Sequence, residues 1–138
     1  MSYSAAQINL SYPKRRDTLT LIVPIARTDS STPKCVLPKD AVVCGLHVHQ
    51  TAAAVTGAAT FNLGWSGSTT ALINAFSMPT SSVGLTNAGS ATGASVMTKL
   101  DSDKLVIASY AVGTSTAGGT GYVIIEFFIP GGGEAVDD

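Results

Sequence analysis

Charge is what this 138-residue chain has least of: Asp, Glu, Lys and Arg make up 12% of it, about half the roughly 25% of an ordinary soluble domain. Long apolar runs are missing as well. Mean hydropathy is positive at +0.31, yet no stretch approaches the ~20 apolar residues that a spanning helix needs. Nor does any segment keep an i, i+3, i+4, i+7 apolar stripe over three turns, which argues against helices. Two histidines, two cysteines and one tryptophan offer no zinc-finger spacing, and phosphate-binding loops and heptads are absent too. A chain so poor in charge is expected to hide part of its surface against other subunits. That points to a building block before a catalyst.

The net charge of −1 gives no global pull toward nucleic acid or an anionic membrane, so neither is expected as a partner. The little charge there is lies unevenly. Residues 1–39 hold six basic groups (Lys14, Arg15, Arg16, Arg27, Lys34, Lys39) against Asp17 and Asp29, a net of +4. Residues 40–138 hold Lys99 and Lys104 against seven acids, a net of −5. Opposed halves suit contacts between an arm and a neighbour. The first residues lack the charged-then-apolar pattern of a signal peptide, so synthesis and retention in a cytosol are expected. Cys35 and Cys44 should then stay reduced and unpaired, with Cys44 a small core residue inside an apolar strand.

What recurs is the pattern of strands. Residues 18–26 are rich in Leu, Ile and Val, with Pro24 marking an edge or a bulge. Residues 41–50 follow a Leu37-Pro38-Lys39-Asp40 turn. Their alternation puts Cys44, Leu46 and Val48 on one face and Val43, Gly45, His47 and His49 on the other. Residues 59–65, 94–100, 104–112 and 121–129 read as further strands, with a tight turn at Asp101-Ser102-Asp103. The Gly-rich residues 113–120 are expected to close the last two strands into a hairpin. A single helical turn is expected at residues 70–76, after a Ser-Gly-Ser-Thr lead-in that can cap it. Residues 121–129 are apolar on both faces, which makes Tyr122, Ile124 and Phe128 candidates for an interface between copies.

The expected fold is all-β: a single-domain antiparallel β-sandwich or jelly roll over residues 18–130. Residues 1–17 read as an extended N-terminal arm and residues 131–138 as a flexible acidic tail. Residues 80–93 form a low-complexity loop.

Each chemical constellation has a plainer reading. His47 and His49 point the same way from one strand, as two imidazoles do in a cupin-type metal site. That pattern also wants a glutamate three or four residues later and a third histidine, and neither is present. Glu126 would have to complete a two-histidine, one-carboxylate set. Two polar residues on an outer sheet face are the simpler account. Gly64-Trp65-Ser66-Gly67-Ser68 departs from the nucleophile-elbow pattern at its fifth position. Asp101 and Asp103 lack the further ligands of a calcium loop. Lys14-Arg15-Arg16 is too short a run for a nucleic-acid footprint, though it suits an acidic partner surface. No catalytic residue, metal site or cofactor is assigned, and no enzyme activity is expected.

Two blocks carry a resemblance. One is Val36-Leu37-Pro38-Lys39-Asp40-Ala41-Val42-Val43-Cys44-Gly45, followed by residues 59–65 and Ser66-Gly67-Ser68-Thr69-Thr70-Ala71-Leu72. The other is residues 104–112, a small-residue link, then Ala117-Gly118-Gly119-Thr120-Gly121-Tyr122-Val123-Ile124-Ile125-Glu126-Phe127. Over residues 36–76 and 96–129 the chain resembles small structural proteins of tailed bacteriophages, particularly head decoration (cement) proteins. The resemblance implies a β-sandwich or jelly-roll protein made in the host cytoplasm and placed on the virion's capsid surface. Such proteins are commonly homotrimers that bridge neighbouring capsomers, with the major capsid protein as partner. On that reading Lys14, Arg15 and Arg16 are capsid-contact candidates. Two alternatives stand beside it. One is a carbohydrate-binding jelly roll of a tail or fibre, with Trp65 and Tyr110 as stacking platforms. The other is a degenerate cupin-type metal protein using His47, His49 and Glu126.

Overall fold

The computed structural model describes residues 18–80 and 83–130. Its strands are β1 (Leu19–Ile25), β2 (Thr32–Leu37), β3 (Val42–Ala52), β4 (Ala59–Trp65), β5 (Ser68–Met78), β6 (Gly84–Asn87), β7 (Lys104–Ala111) and β8 (Thr120–Phe128). They build two antiparallel four-stranded sheets, β1-β8-β3-β6 and β2-β7-β4-β5. The pairs β1·β8, β2·β7, β3·β6 and β4·β5 nest one inside the next. That is a single long hairpin rolled up so that its arms alternate between sheets, the jelly-roll arrangement. The expected sandwich is the fold found.

Alternation along the strands fills the space between the sheets. Val23, Val48, Phe61, Leu63, Val106, Val123 and Ile125 are all buried there. The Phe61 and Phe76 rings meet at 5.6 Å and 48°, a tilted geometry that aromatic quadrupoles favour. Among the described residues no buried side-chain nitrogen or oxygen lacks a hydrogen-bond partner.

Polar side chains clamp the loops at one end of the sandwich. Arg27 donates from one guanidinium nitrogen to Ser115 Oγ and the Gly118 carbonyl, both at 3.0 Å, and from the other to the Ser115 carbonyl at 2.8 Å. Buried Asp29 pairs with Lys34 at 2.9 Å and accepts from the Ala26 amide at 2.9 Å. Two of the basic groups counted in the first 39 residues are thus occupied inside the fold. Residues 1–17 and 131–138, and with them Lys14, Arg15 and Arg16, lie outside the described residues.

Several expectations are corrected. Residues 70–76 are not a helical turn but the middle of β5. Register shifts against β4 and a φ of 55° at Ala75 break the alternation, so Ala71, Leu72 and Ile73 are buried in succession. The Ala75 amide bonds to Asn62 Oδ1 at 2.7 Å, which holds the irregularity in place. Residues 94–100 are turns and bends rather than a strand. Their backbone is tied at Ser95 to the Ala71 carbonyl (2.9 Å) and at Met97 to the Val43 carbonyl (2.8 Å). Residues 113–120 close no hairpin, because β7 and β8 belong to different sheets. The link crosses the end of the sandwich instead, where Gly118, at φ 66°, passes too close to the Ala53 carbonyl for any side chain. Residues 80–93 contain an ordered edge strand, β6, and a short 3-10 turn at Gly89–Ala91. Strand β2 carries no such expectation at all.

Candidate docking interface

A bulge in β3 decides what the outer face of the β1-β8-β3-β6 sheet presents. Between Val43 and Gly45 the register against β8 shifts by one residue, so two residues oppose one and the facing parity resets. Val43 therefore points into the core beside Leu46 and Val48, while Cys44 is exposed. The expected core position of Cys44 is thus corrected: parity fails across the extra residue. From Leu46 onward the expected alternation holds, and His47 and His49 face outward.

Cross-strand neighbours then form rows across that face. One row runs Ile22, Ile124, His47, Asn87; the next runs Pro24, Tyr122, His49, Leu85. A third sets Thr20 and Gly45 on either side of Glu126. Ile22 is 63% exposed, Leu85 65% and Tyr122 43%. Contiguous exposure of large apolar side chains, with few charges among them, marks a contact surface on a soluble protein. The anion among these row residues, Glu126, lies 3.6 Å from His47 Nε2. Gly45 makes that possible, since a Cβ there would come within 2.5 Å of Glu126 Oε1. Cys44 adds a weak bond from Sγ to the Glu126 carbonyl at 3.5 Å.

Of the interface candidates, Tyr122 and Ile124 stand in the middle of this face, and half-buried Phe128 lies at its end opposite Val42. The structure also brings His47 and His49 beside them. Ile22 and Leu85 were not expected as members. For Ile22 the signal was legible in β1, where Leu21 and Val23 pack inward and Ile22 must face out. His47 and Glu126 meet as a pair, while His49 sits one row away beside Tyr122. Among the described residues no group of three His, Cys, Asp or Glu side chains is placed to hold a metal ion.

The opposite sheet carries the two aromatic rings considered for stacking. Trp65 is only 8% exposed, and Lys104 Nζ lies 5.6 Å from its ring centre. It borders a groove of about 250 Å³ with Ser66, Asp103, Lys104, Leu105 and Ile107. Tyr110 donates its hydroxyl to the Gly119 carbonyl at 2.6 Å and lies 5.8 Å beneath the Arg27 guanidinium. Burial pushes its phenol above the ordinary value, and Arg27 opposes that only in part. Neither ring is a free platform. Elsewhere, Lys104 beside Asp101 holds that exposed carboxyl below its usual range, and burial raises the Cys35 thiol.

Fold and face together define, over the described residues, a jelly roll of eight strands with an exposed apolar sheet surface. No protein-family model matches the sequence, and no curated protein matches it. Among solved structures, the chain is similar to one from the capsid asymmetric unit of cyanophage Pam1, with a TM-score of 0.62 and 16% sequence identity. The likeness covers 94% of this chain and 99% of that one. At that identity it shows a shared fold.

Proposed function

We propose that this chain is a non-enzymatic structural protein of a phage virion, which binds the outer surface of the capsid and stabilises it by bridging neighbouring capsomers. The observation that carries the reading is the likeness, over nearly the full length of both chains, to a component of a capsid asymmetric unit. Its warrant is an analogy at the level of the fold. The motif resemblance of residues 36–76 and 96–129 and the sparsely charged, largely apolar sheet face support it.

The mechanism is additive contact. Three copies associate through apolar surface that includes Tyr122, Ile124 and Phe128, and Lys14, Arg15 and Arg16 meet carboxylates of the major capsid protein. Each exposed ion pair contributes only about 0–1 kcal/mol, so attachment depends on several pairs acting from linked copies. A protein that binds the assembled shell and not its dissociated parts stabilises it by mass action, about 2.7 kcal/mol at a hundredfold excess over Kd. The chain is made in the host cytoplasm and ends on the virion.

Undecorated heads of the virus that encodes the chain test the reading. Purified protein should co-sediment with them at a saturable ratio and raise their melting temperature. Sedimentation equilibrium of the protein alone should give a species about three times the 14.0 kDa chain mass. A monomer that ignores intact heads would refute it.

A further inference from the structure

We infer that association of copies through the outer face of the β1-β8-β3-β6 sheet takes up a proton at the His47–Glu126 pair, so that the assembly tightens as pH falls through neutrality. The inference rests on the reading that Tyr122, Ile124 and Phe128 lie in a contact between copies, and it names what regulates that contact. Alternate residues of a strand share a side, so Glu126 stands between Ile124 and Phe128 on the outward side of β8. A partner that covers both apolar side chains covers the carboxylate as well.

The groups that face the pair come from all four strands. On β3, His47 is half-buried and His49 is exposed one row away. On β8, Glu126 Oε1 lies 3.6 Å from His47 Nε2, and Tyr122 stands opposite His49. β1 brings Thr20 and Ile22, and β6 brings Leu85 and Asn87, none of them ionisable. Cys44, exposed at the bulge, is bonded to the Glu126 carbonyl. Lys99 bridges to Val42 at the end of the sheet, and its amine lies 3.9 Å from Asp40. Among the described residues no lysine or arginine pairs with Glu126, and His47 is the group placed to neutralise it. One carboxylate and two imidazoles give an oppositely charged partner little to read. A second copy, which brings the same balance, suits the face.

In the free chain, water screens the pair and it contributes little. Docking strips that water away. A carboxylate buried without a countercharge is costly, whereas one buried against a protonated imidazole is paired and hydrogen-bonded. An imidazole in water takes its proton between about pH 5 and 8. At the alkaline end of that range each covered pair keeps a net negative charge, which weakens the contact. At the acid end the pair is neutral overall. Protonation of Glu126 itself would act in the same direction, since it also removes buried charge. The associated form therefore binds more protons than the separate chains, and lowering the pH favours it.

Sedimentation of fluorescently labelled full-length protein tests this, at about pH 8 and about pH 6 in constant salt, values that span much of the imidazole titration. Each series is diluted until the copies separate, and circular dichroism checks that every variant is folded. The association constant per contact should be about 10-fold larger at the lower pH, within the limit of tenfold per pH unit that one linked proton sets. Glu126→Gln should tighten association at the higher pH and flatten the dependence. His47→Gln keeps a hydrogen-bond donor without the titration, so it should hold association at the weak, high-pH level throughout. His49→Gln should leave the dependence in place. Equal association at both pH values, a dependence that survives Glu126→Gln, or one lost with His49→Gln and kept with His47→Gln would each overturn the inference and leave the contact intact. A chain that stays monomeric at both values refutes the contact between copies, and the inference with it.

Discussion

Replacing Arg27 by alanine should destabilise the fold more than its half-buried position suggests. The guanidinium makes three hydrogen bonds of 2.8–3.0 Å to the loop at Ser115 and Gly118, and it lies over the Tyr110 ring at 5.8 Å. Bonds to a charged donor are worth about 1.5–3 kcal/mol each when a partner is removed. The cation over the ring adds about 0.5–1 kcal/mol. These do not sum, because water can reach the loop and rehydrate both carbonyls once the side chain is gone. Ser115 is only 5% exposed, however, so rehydration is incomplete. A net loss of about 2–4 kcal/mol follows, a large share of the roughly 5–15 kcal/mol that holds a domain together. At about 3–5 °C per kcal/mol for a chain of this size, Tm should fall by ~10 °C. Denaturant titration over a range of protein concentrations measures the change and separates it from any shift in self-association. Arg27→Lys keeps the charge but not the planar fork, so it should recover less than half of the loss. A loss under about 0.5 kcal/mol for Arg27→Ala, or full recovery with lysine, would show that the fork does not clamp this loop.

Two further outcomes follow from side chains in the same fold. Cys44 is exposed, while Cys35 is half-buried with its thiol pushed up by burial. A thiol reagent at neutral pH should therefore modify the native protein in one fast and one slow step, the fast one absent from Cys44→Ser. Tyr110 must be protonated to donate to Gly119, and its folded-state value is raised above 10.0. Its contribution is thus complete below pH 10 and is lost as pH climbs through the folded value. Tyr110→Phe should cost about 1 kcal/mol at neutral pH and remove this group's share of the alkaline decline in stability.

Five strands were legible because their alternation is uninterrupted or their apolar content is dense. β4 spans Ala59–Trp65, the stretch expected, since Phe61, Leu63 and Trp65 alternate with smaller residues. The errors cluster where alternation is broken by an extra residue. In β5 the register shifts against β4, and residues 92–95 bond along Ala71, Leu72 and Ile73, so three consecutive positions are buried and imitate helical spacing. In β3 the bulge at Val43–Gly45 inverts the faces, so a pattern valid from Leu46 onward misplaces Cys44. β2 contains Pro33 and Lys34 and has a bulge of its own, and no local signal separates it from a loop. Rows such as Ile22–Ile124–His47 set side by side residues more than seventy positions apart in the chain. Such neighbours come from strand order, which periodicity does not encode. Tyr122 and Ile124 were legible as outward apolar residues; the histidines beside them were legible only as outward.

The nested pairing of strands constrains the order in which this protein comes into being on the ribosome. β4 and β5 are joined by a two-residue turn and can zip as soon as both have emerged. Every other sheet partnership waits for more distant chain, and β8 sits between β1 and β3. Until residues 120–128 have been made, β1 has no described partner and β3 lacks the neighbour along its longer side. Topologies closed by such distant contacts fold slowly, and the waiting strands expose apolar edges meanwhile. A nascent chain stalled before Thr120 should therefore be protease-sensitive and prone to aggregation, although most of its core residues are already present.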